Sequence, residues 1–348
     1  MIAGVRAFRP APPWWSGDLQ TLRNAVMRPA APLDGWACRR LWLPLGDGDA
    51  LAAALHAPER AGAAPLIVLI HGLTGCEDSP YIRVSTRFWL HEGYPVLRLN
   101  LRGSVPSRPG CRGHYHAGRS GDIRAALHAL TGQVPAATHA GLVAVGYSLG
   151  GNVLVKLLAE AGRELDVVAA ATVSAPIDLA ATSRRFHRAR NALYRRWLLE
   201  LVRREALTPP AEVSARERAV VEGARSLRAF DDGFIAPRFG FADCWDYYAQ
   251  CSAQRFLAAV PVPTLLLHAA DDPWIPVQPF RDAPWSANPL LTPVLTRRGG
   301  HTGFHAAGQS WPWHDTRIAA FLRTGASPLG ATAPAAHASA QPCDADSR

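Results

Sequence analysis

The chain has 348 residues, 48% hydrophobic and 19% charged, with 37 Lys+Arg against 28 Asp+Glu and a formal net charge of +9. This composition excludes general disorder, collagen, coiled coil and disulfide-framework classes, and the length supplies ample material for a buried core in one large domain or two ordinary ones. The basic excess leaves nucleic acid, an anionic membrane surface and acidic substrates open as partners, although every basic residue but Lys156 is arginine, which reads as compositional drift.

Residues 1–35 are rich in Pro and Trp. They read as an irregular N-terminal arm packed onto the body through Trp14 and Trp15, and they lack the apolar stretch of a secretory signal. Residues 40–45 and 50–56 read as two strands joined by a turn at 46–49. Residues 66–70 form a wholly apolar strand, followed by a loop and a helix over 81–91. Strands at 96–100, 142–146 and 167–173 then alternate with helices at 122–130 and 149–161. Residues 179–260 read as a charged helical insertion, a lid or cap. The strand pattern returns at 264–268 and 293–296, and a helix over 313–322 closes the chain's core. Strands too apolar to keep a wet face, alternating with helices, give an α/β class: a mostly parallel central sheet, helices on both faces and a helical lid. The core takes in 36–178 and 261–324, and the Ala/Pro/Ser-rich tail 325–348 is expected to be disordered. No apolar run approaches the roughly 18–20 residues needed to span a bilayer. The six cysteines form no CxxC pair and read as free thiols of a cytoplasmic protein, with no structural zinc.

The sharpest local signal is Gly146-Tyr147-Ser148-Leu149-Gly150, a G-x-S-x-G between an expected strand and an expected helix. Such a turn holds its serine in strained geometry, and side chains at the flanking glycines would collide with neighbouring backbone. A serine hydroxyl is a poor nucleophile unless a base takes its proton. His301, in the glycine-rich run 299–303 after the last expected strand, is the candidate base. A histidine base needs an acid to hold its tautomer, and Asp271-Asp272-Pro273 follows the strand at 264–268. The order Ser148, Asp272, His301 is that of the α/β-hydrolase fold. His71-Gly72-Leu73-Thr74-Gly75 closes the strand at 66–70. There the N–H of Leu73, with that of Leu149, can form an oxyanion hole.

Together these pieces resemble the α/β-hydrolase superfamily and, within it, the YheT-like branch. The runs WWSGDLQT (14–21), HGLTGCEDSPY (71–81), LNLRGS (99–104), YHAGRSGD (115–122) and GYSLGGNVLVKLL (146–158) carry the first half of the resemblance. SAPIDL (174–179), DDGFIAPRFGFADCWDYY (231–248), DDPW (271–274) and GGHTGF (299–304) carry the second. The resemblance implies an α/β-hydrolase fold and a serine esterase acting on carboxylic esters without a cofactor. It implies Ser148 as nucleophile, His301 as general base and then acid, and a relay acid in the Asp271/Asp272 pair. Superfamily members commonly show D-P-x-x-P at this point, which favours Asp272 and leaves Asp271 to cap the loop. Eukaryotic relatives in this branch include lipases, phospholipases and alcohol acyltransferases, so the implied partner is a small acyl ester or a lipid.

Other readings compete. An alcohol O-acyltransferase would use the same triad, and a catalytically inactive binding protein would use the same fold. His301 and His305 stand four apart, but the glycines around them and the missing glutamate argue against a metal pair. No recognition motif accompanies the charge, which argues against nucleic acid. Residues 182–206 carry eight arginines against two glutamates, a net charge of +6, with Phe186, Ala189, Leu193, Trp197 and Leu201 at helical spacing. The plainer expectation is one lid helix packed through that apolar face with a solvated basic side. The sharper one is peripheral contact with an anionic membrane surface.

Overall fold

The computed structural model describes residues 7–27, 29, 31–58 and 63–326; the expected tail lies outside the described residues from 327 onward. Eight strands form one sheet: β1 (Cys38–Pro44), β2 (Ala50–His56), β3 (Leu66–Ile70), β4 (Val96–Leu99), β5 (Leu142–Tyr147), β6 (Val167–Val173), β7 (Thr264–Ala269) and β8 (Leu291–Thr296). Their spatial order is β1-β2-β4-β3-β5-β6-β7-β8. The β1/β2 and β2/β4 pairs are antiparallel and the remaining pairs are parallel. The fold is therefore the α/β-hydrolase arrangement that the sequence pattern implies.

The central strands are buried on both faces, which is why they read as unbroken apolar runs. Leu66, Val68 and Ile70 point into a core shared with helices Ser120–Gln133 and Leu149–Ala161. Ile67 and Leu69 point the other way, onto helices Pro80–His91 and Trp313–Phe321. Among the described residues no helix is long and apolar enough to cross a membrane.

Two expectations need correction. The arm is not irregular throughout, because Gly17–Met27 is a helix. Nor does Trp15 anchor it: that ring is exposed, while Trp14 is half-buried under the Arg23 guanidinium. The basic segment is likewise not one helix. It divides into Leu179–Phe186 and Ala192–Leu207, with a short 3-10 turn between them. Asn191 makes the break: its amide donates to the Arg185 and Pro273 carbonyls, both at 3.0 Å. The second helix packs through Leu199, Val202 and Ala206 over Phe230, Phe234 and Tyr247, and Leu198 is buried against the cavity. The expected apolar face is largely wrong, since Leu193 and Trp197 point outward.

Several arginines are spent inside the fold. Arg102 is buried and donates to both Asp122 carboxylate oxygens, at 2.7 and 2.8 Å, and to Asp49. Arg40 pairs with Glu77, which also accepts from Asn100. Arg102 of the LNLRGS run thus ties the end of β4 to the β1/β2 turn and to helix Ser120–Gln133, while Asn100 of the same run and Arg40 of β1 meet Glu77 in the loop after β3.

Behind β5, Ser85 donates to the fully buried Asp315 carboxyl at 2.8 Å, and the Tyr147 and Ser85 hydroxyls lie 2.7 Å apart. Burial, only partly offset by the two hydroxyls, pushes the Asp315 pKa up to about 7. An acid with a raised folded-state pKa contributes stability that is complete below its unfolded value and is lost as pH rises through the folded one. Asp315→Asn removes that loss. The variant should gain roughly 2 kcal/mol relative to the parent between pH 5 and pH 8. Urea unfolding at the two pH values measures it, and a parent and variant that move in parallel would contradict the assignment.

Candidate active site

The loops leaving the carboxyl ends of β3, β5, β7 and β8 converge on one point, where open parallel sheets place their ligands. Ser148 forms the turn from β5 into helix Leu149–Ala161 with φ 51° and ψ −123°. A Cβ at Gly146 would lie 2.6 Å from the Gly150 carbonyl oxygen, and one at Gly150 would lie 2.4 Å from that of His71. The two glycines of G-x-S-x-G are thus the condition for the turn to close against β3. The Leu149 N–H opens its helix and has no internal acceptor among the described residues.

His301 Nε2 lies 2.9 Å from Ser148 Oγ, and its Nδ1 lies 2.8 Å from Asp272 Oδ2. Asp272 Oδ1 accepts from the N–H groups of Trp274 and Ile275 at 2.8 and 2.9 Å. Burial alone would raise the Asp272 pKa. The charge and hydrogen bond of His301, with the Ile275 N–H, outweigh it and hold the carboxyl below its ordinary value. Asp271 turns the other way: its carboxylate accepts from the Gly300 N–H at 2.9 Å and so fastens the histidine loop. Of the pair, Asp272 is the residue that meets His301.

His71 is fully buried, and burial lowers its pKa to about 4. It accepts from the Leu101 N–H at Nε2, so its proton is on Nδ1, which donates to the Gly72 carbonyl. It shapes the β3 loop as a neutral ring. In that loop Gly72 N–H donates to Tyr81 Oη at 3.0 Å and Thr74 N–H to Tyr115 Oη at 2.7 Å. Between them the Leu73 N–H keeps no internal acceptor among the described residues. Tyr115 Oη in turn donates to Glu205 of the lid at 3.1 Å.

Three further contributions shape the site. The Trp274 ring lies 4.5 Å from that of His301, and Phe186, Tyr194 and Trp197 of the lid gather around Trp274. Thr21 Oγ1 accepts from the His301 N–H at 2.8 Å. Gln20, fully buried, accepts from the His305 N–H at 2.8 Å and donates to the carbonyls of Trp14 and His305. The Gln-Thr pair of the WWSGDLQT run was the available signal, but its type alone gave no role. His305 and His116 are packing residues: Arg23 lies 3.2 Å from His305 Nδ1, and His116 stacks on Phe239.

Ser148 and His301 line a cavity of about 410 Å³ between the sheet and the lid. Two half-buried lid carboxyls stand on its wall, Glu205 and Asp231, which desolvation pushes up to about 8 and about 7. Near neutrality Glu205 is therefore largely uncharged; Arg102, Arg108 and Arg195 also reach the wall, but most of the remaining lining is apolar, which suits an occupant with an apolar part. Among the described residues no group of three or more His, Cys, Asp or Glu is arranged to hold a metal ion.

Residues 65–305 match the alpha/beta hydrolase fold family, and the chain belongs to it. It is 36% identical over 291 residues to "Putative esterase YheT" of Escherichia coli (strain K12), covering 82% of this chain and 84% of that protein, which puts it in the YheT-like branch. It is 30% identical over 246 residues to "Phospholipase ABHD3" of Mus musculus, covering 70% of this chain and 59% of the mouse protein. "Medium-chain fatty acid ethyl ester synthase/esterase 2" of Saccharomyces cerevisiae is 29% identical over 269 residues, covering 69% of this chain and 58% of the yeast protein. Among solved structures, the Pyrococcus furiosus esterase Pf2001 superposes with a TM-score of 0.56 at 16% identity, over 83% of this chain and 93% of that one. That likeness is one of fold.

Gln20→Ala should leave the His305 N–H and the Trp14 carbonyl without partners, while the His305 carbonyl keeps the Ala11 N–H, at a cost of roughly 1–3 kcal/mol. The expected signature is local: amide exchange over 299–305 accelerates more than exchange in β5 or β6. Uniform acceleration along the chain would mean that Gln20 supports the fold generally and not the histidine loop.

Proposed function

We propose that the chain is a serine hydrolase that cleaves carboxylic esters through an acyl-enzyme. The observation that carries this reading is the hydrogen-bonded series Asp272–His301–Ser148, ending at a hydroxyl that faces a mostly apolar cavity. Ser148 Oγ attacks the acyl carbonyl carbon while His301 Nε2 takes its proton. The carbonyl oxygen becomes an oxyanion, held by the N–H groups of Leu73 and Leu149. Collapse breaks the ester C–O bond, and His301 returns the proton to the departing alcohol. Water then repeats the attack with His301 as base, freeing the acid and regenerating Ser148. Asp272 holds the imidazole in the required tautomer and stabilises the imidazolium. The names of the bacterial, mouse and yeast relatives all describe ester chemistry, which supports a small ester or a lipid as substrate.

The yeast relative's name joins ester synthesis to hydrolysis, and an alcohol can replace water at the acyl-enzyme with no change in the triad. Product analysis with added ethanol separates the two. Free acid as the sole product leaves hydrolysis alone, and ethyl ester formed in proportion to ethanol adds the transferase.

Ser148→Ala should abolish fluorophosphonate labelling and p-nitrophenyl ester turnover, and Asp272→Asn should lower turnover by about 10⁴-fold. Labelling that survives in the Ser148 variant, or no labelling of the parent protein, would rule the mechanism out; the latter would favour a binding protein on this fold. A cavity of about 410 Å³ sits at the small end of ligand pockets, which favours short to medium acyl chains. Across a series of p-nitrophenyl esters, kcat/KM should rise by up to about fourfold per added methylene and then fall once the cavity is full. A flat series would count against a defined acyl pocket.

A further inference from the structure

Large apolar side chains that face water are unevenly placed on this molecule. Of the eleven among the described residues, seven fall on two short stretches. Trp15, Leu19, Leu22, Val26 and Met27 belong to the first, at and within helix Gly17–Met27. Leu193 and Trp197 belong to the second, on lid helix Ala192–Leu207. Leu193 is 84% exposed and Val26 67%. These are values for residues with no packing role, so the fold does not account for them.

The two stretches border the same opening. Ala25 and Trp197 line the cavity and are themselves exposed, which sets both at its rim. Val26 follows Ala25 directly, and Leu193 lies one turn before Trp197. The helices are tied at one end by Asp18, which accepts from Arg190 at 2.8 Å and from Tyr194 at 3.1 Å. Around this apolar rim the charge is positive. Arg188, Arg196 and Arg204 are exposed and have no carboxylate partner among the described residues, while Glu200 is paired with Arg203.

We propose that the cavity rim is a docking surface for an anionic lipid bilayer. Its partner is identified by two features together: apolar side chains that enter the acyl boundary and arginines that meet the headgroup charge. A contiguous apolar patch rimmed by basic residues is the expected footprint of such contact. Docking in this way sets the cavity mouth against the bilayer, so an acyl ester reaches Ser148 without crossing water. That consequence rests on the esterase reading; the docking itself does not.

The test uses the full chain carrying Ser148→Ala, so that binding is read without turnover. It is co-sedimented with vesicles of phosphatidylcholine alone and of phosphatidylcholine with one-third phosphatidylglycerol. Binding to the anionic vesicles is expected, with little to the neutral ones. Arg196→Gln with Arg204→Gln should weaken it about thirtyfold, at about 1 kcal/mol for each arginine near the surface. Val26→Glu with Leu193→Glu should abolish it. The latter pair, placed in the Ser148 parent, should leave turnover of soluble p-nitrophenyl acetate and the thermal midpoint unchanged. No vesicle binding, or equal binding to both compositions, overturns the proposal. So does a dimer in solution that the Val26/Leu193 pair dissociates, because the face would then join two copies of the chain. Vesicle binding without soluble-ester turnover in the parent would instead leave the docking surface standing and remove the esterase reading.

Discussion

The constraint on which the structure turns is the backbone of Ser148. At φ 51° and ψ −123° a non-glycine residue is strained by roughly 1–3 kcal/mol, and it persists only where its surroundings over-determine it. Here they do. The Ser148 N–H donates to Val173 of β6, its carbonyl accepts from Gly151 and Asn152, and Gly150 lies against the end of β3. Those contacts require β5 to sit between β3 and β6, which is the order of the sheet. Asn152 carries the constraint outward: its amide donates to the carbonyls of Ala117 and Cys251 and accepts from the Ala253 N–H. The elbow helix is thereby joined to the last helix of the lid and to the loop that precedes helix Ser120–Gln133.

On the proposed mechanism a serine fixed in this way needs a base that is fixed equally well, and His301 lies on a glycine-rich loop with little stiffness of its own. Its position is imposed from three directions. Asp272 holds the ring, Asp271 holds the Gly300 N–H, and the N-terminal helix holds the loop backbone through Thr21 and Gln20. The lid adds a fourth restraint, because Arg185, Arg190 and Asn191 all donate to the Pro273 carbonyl beside the acid. Part of the basic character of the lid is therefore spent on orienting the loop that carries Asp272.

What could be read in the sequence follows from these forces. The central strands were legible because burial on both faces leaves an unbroken apolar run, and their observed bounds fall within two residues of the expected ones. Ser148 and His301 were legible because the turn and the loop that present them need glycine at stated places. The carboxylate that meets His301 was legible only as a pair, since adjacent residues on a turn point in different directions and the sequence does not say which one reaches the imidazole. Gln20 and Thr21 were not legible as site residues, because each acts through a partner distant in sequence and neither belongs to a residue type that signals chemistry.

The two misread elements share one physical cause. Periodicity arguments assume that apolar side chains point inward. In helix Gly17–Met27 the buried positions are Gly17 and Gln20, held by close approach and hydrogen bonds, while leucine and valine face water. In helix Ala192–Leu207 the apolar residues are divided between an inner face at Leu198 and Val202 and an outer face at Leu193 and Trp197. A helix of this inverted or two-sided kind is unfavourable in a protein that meets only water, since its exposed apolar area gains nothing on folding. Two such helices at one cavity mouth, ringed by unpaired arginines, point to a second apolar phase on that side. On this view the arginines fall into three groups: internal pairs that hold the sheet and add nothing to the net charge, lid arginines that hold the Asp272 loop, and those that face outward around the entrance to Ser148.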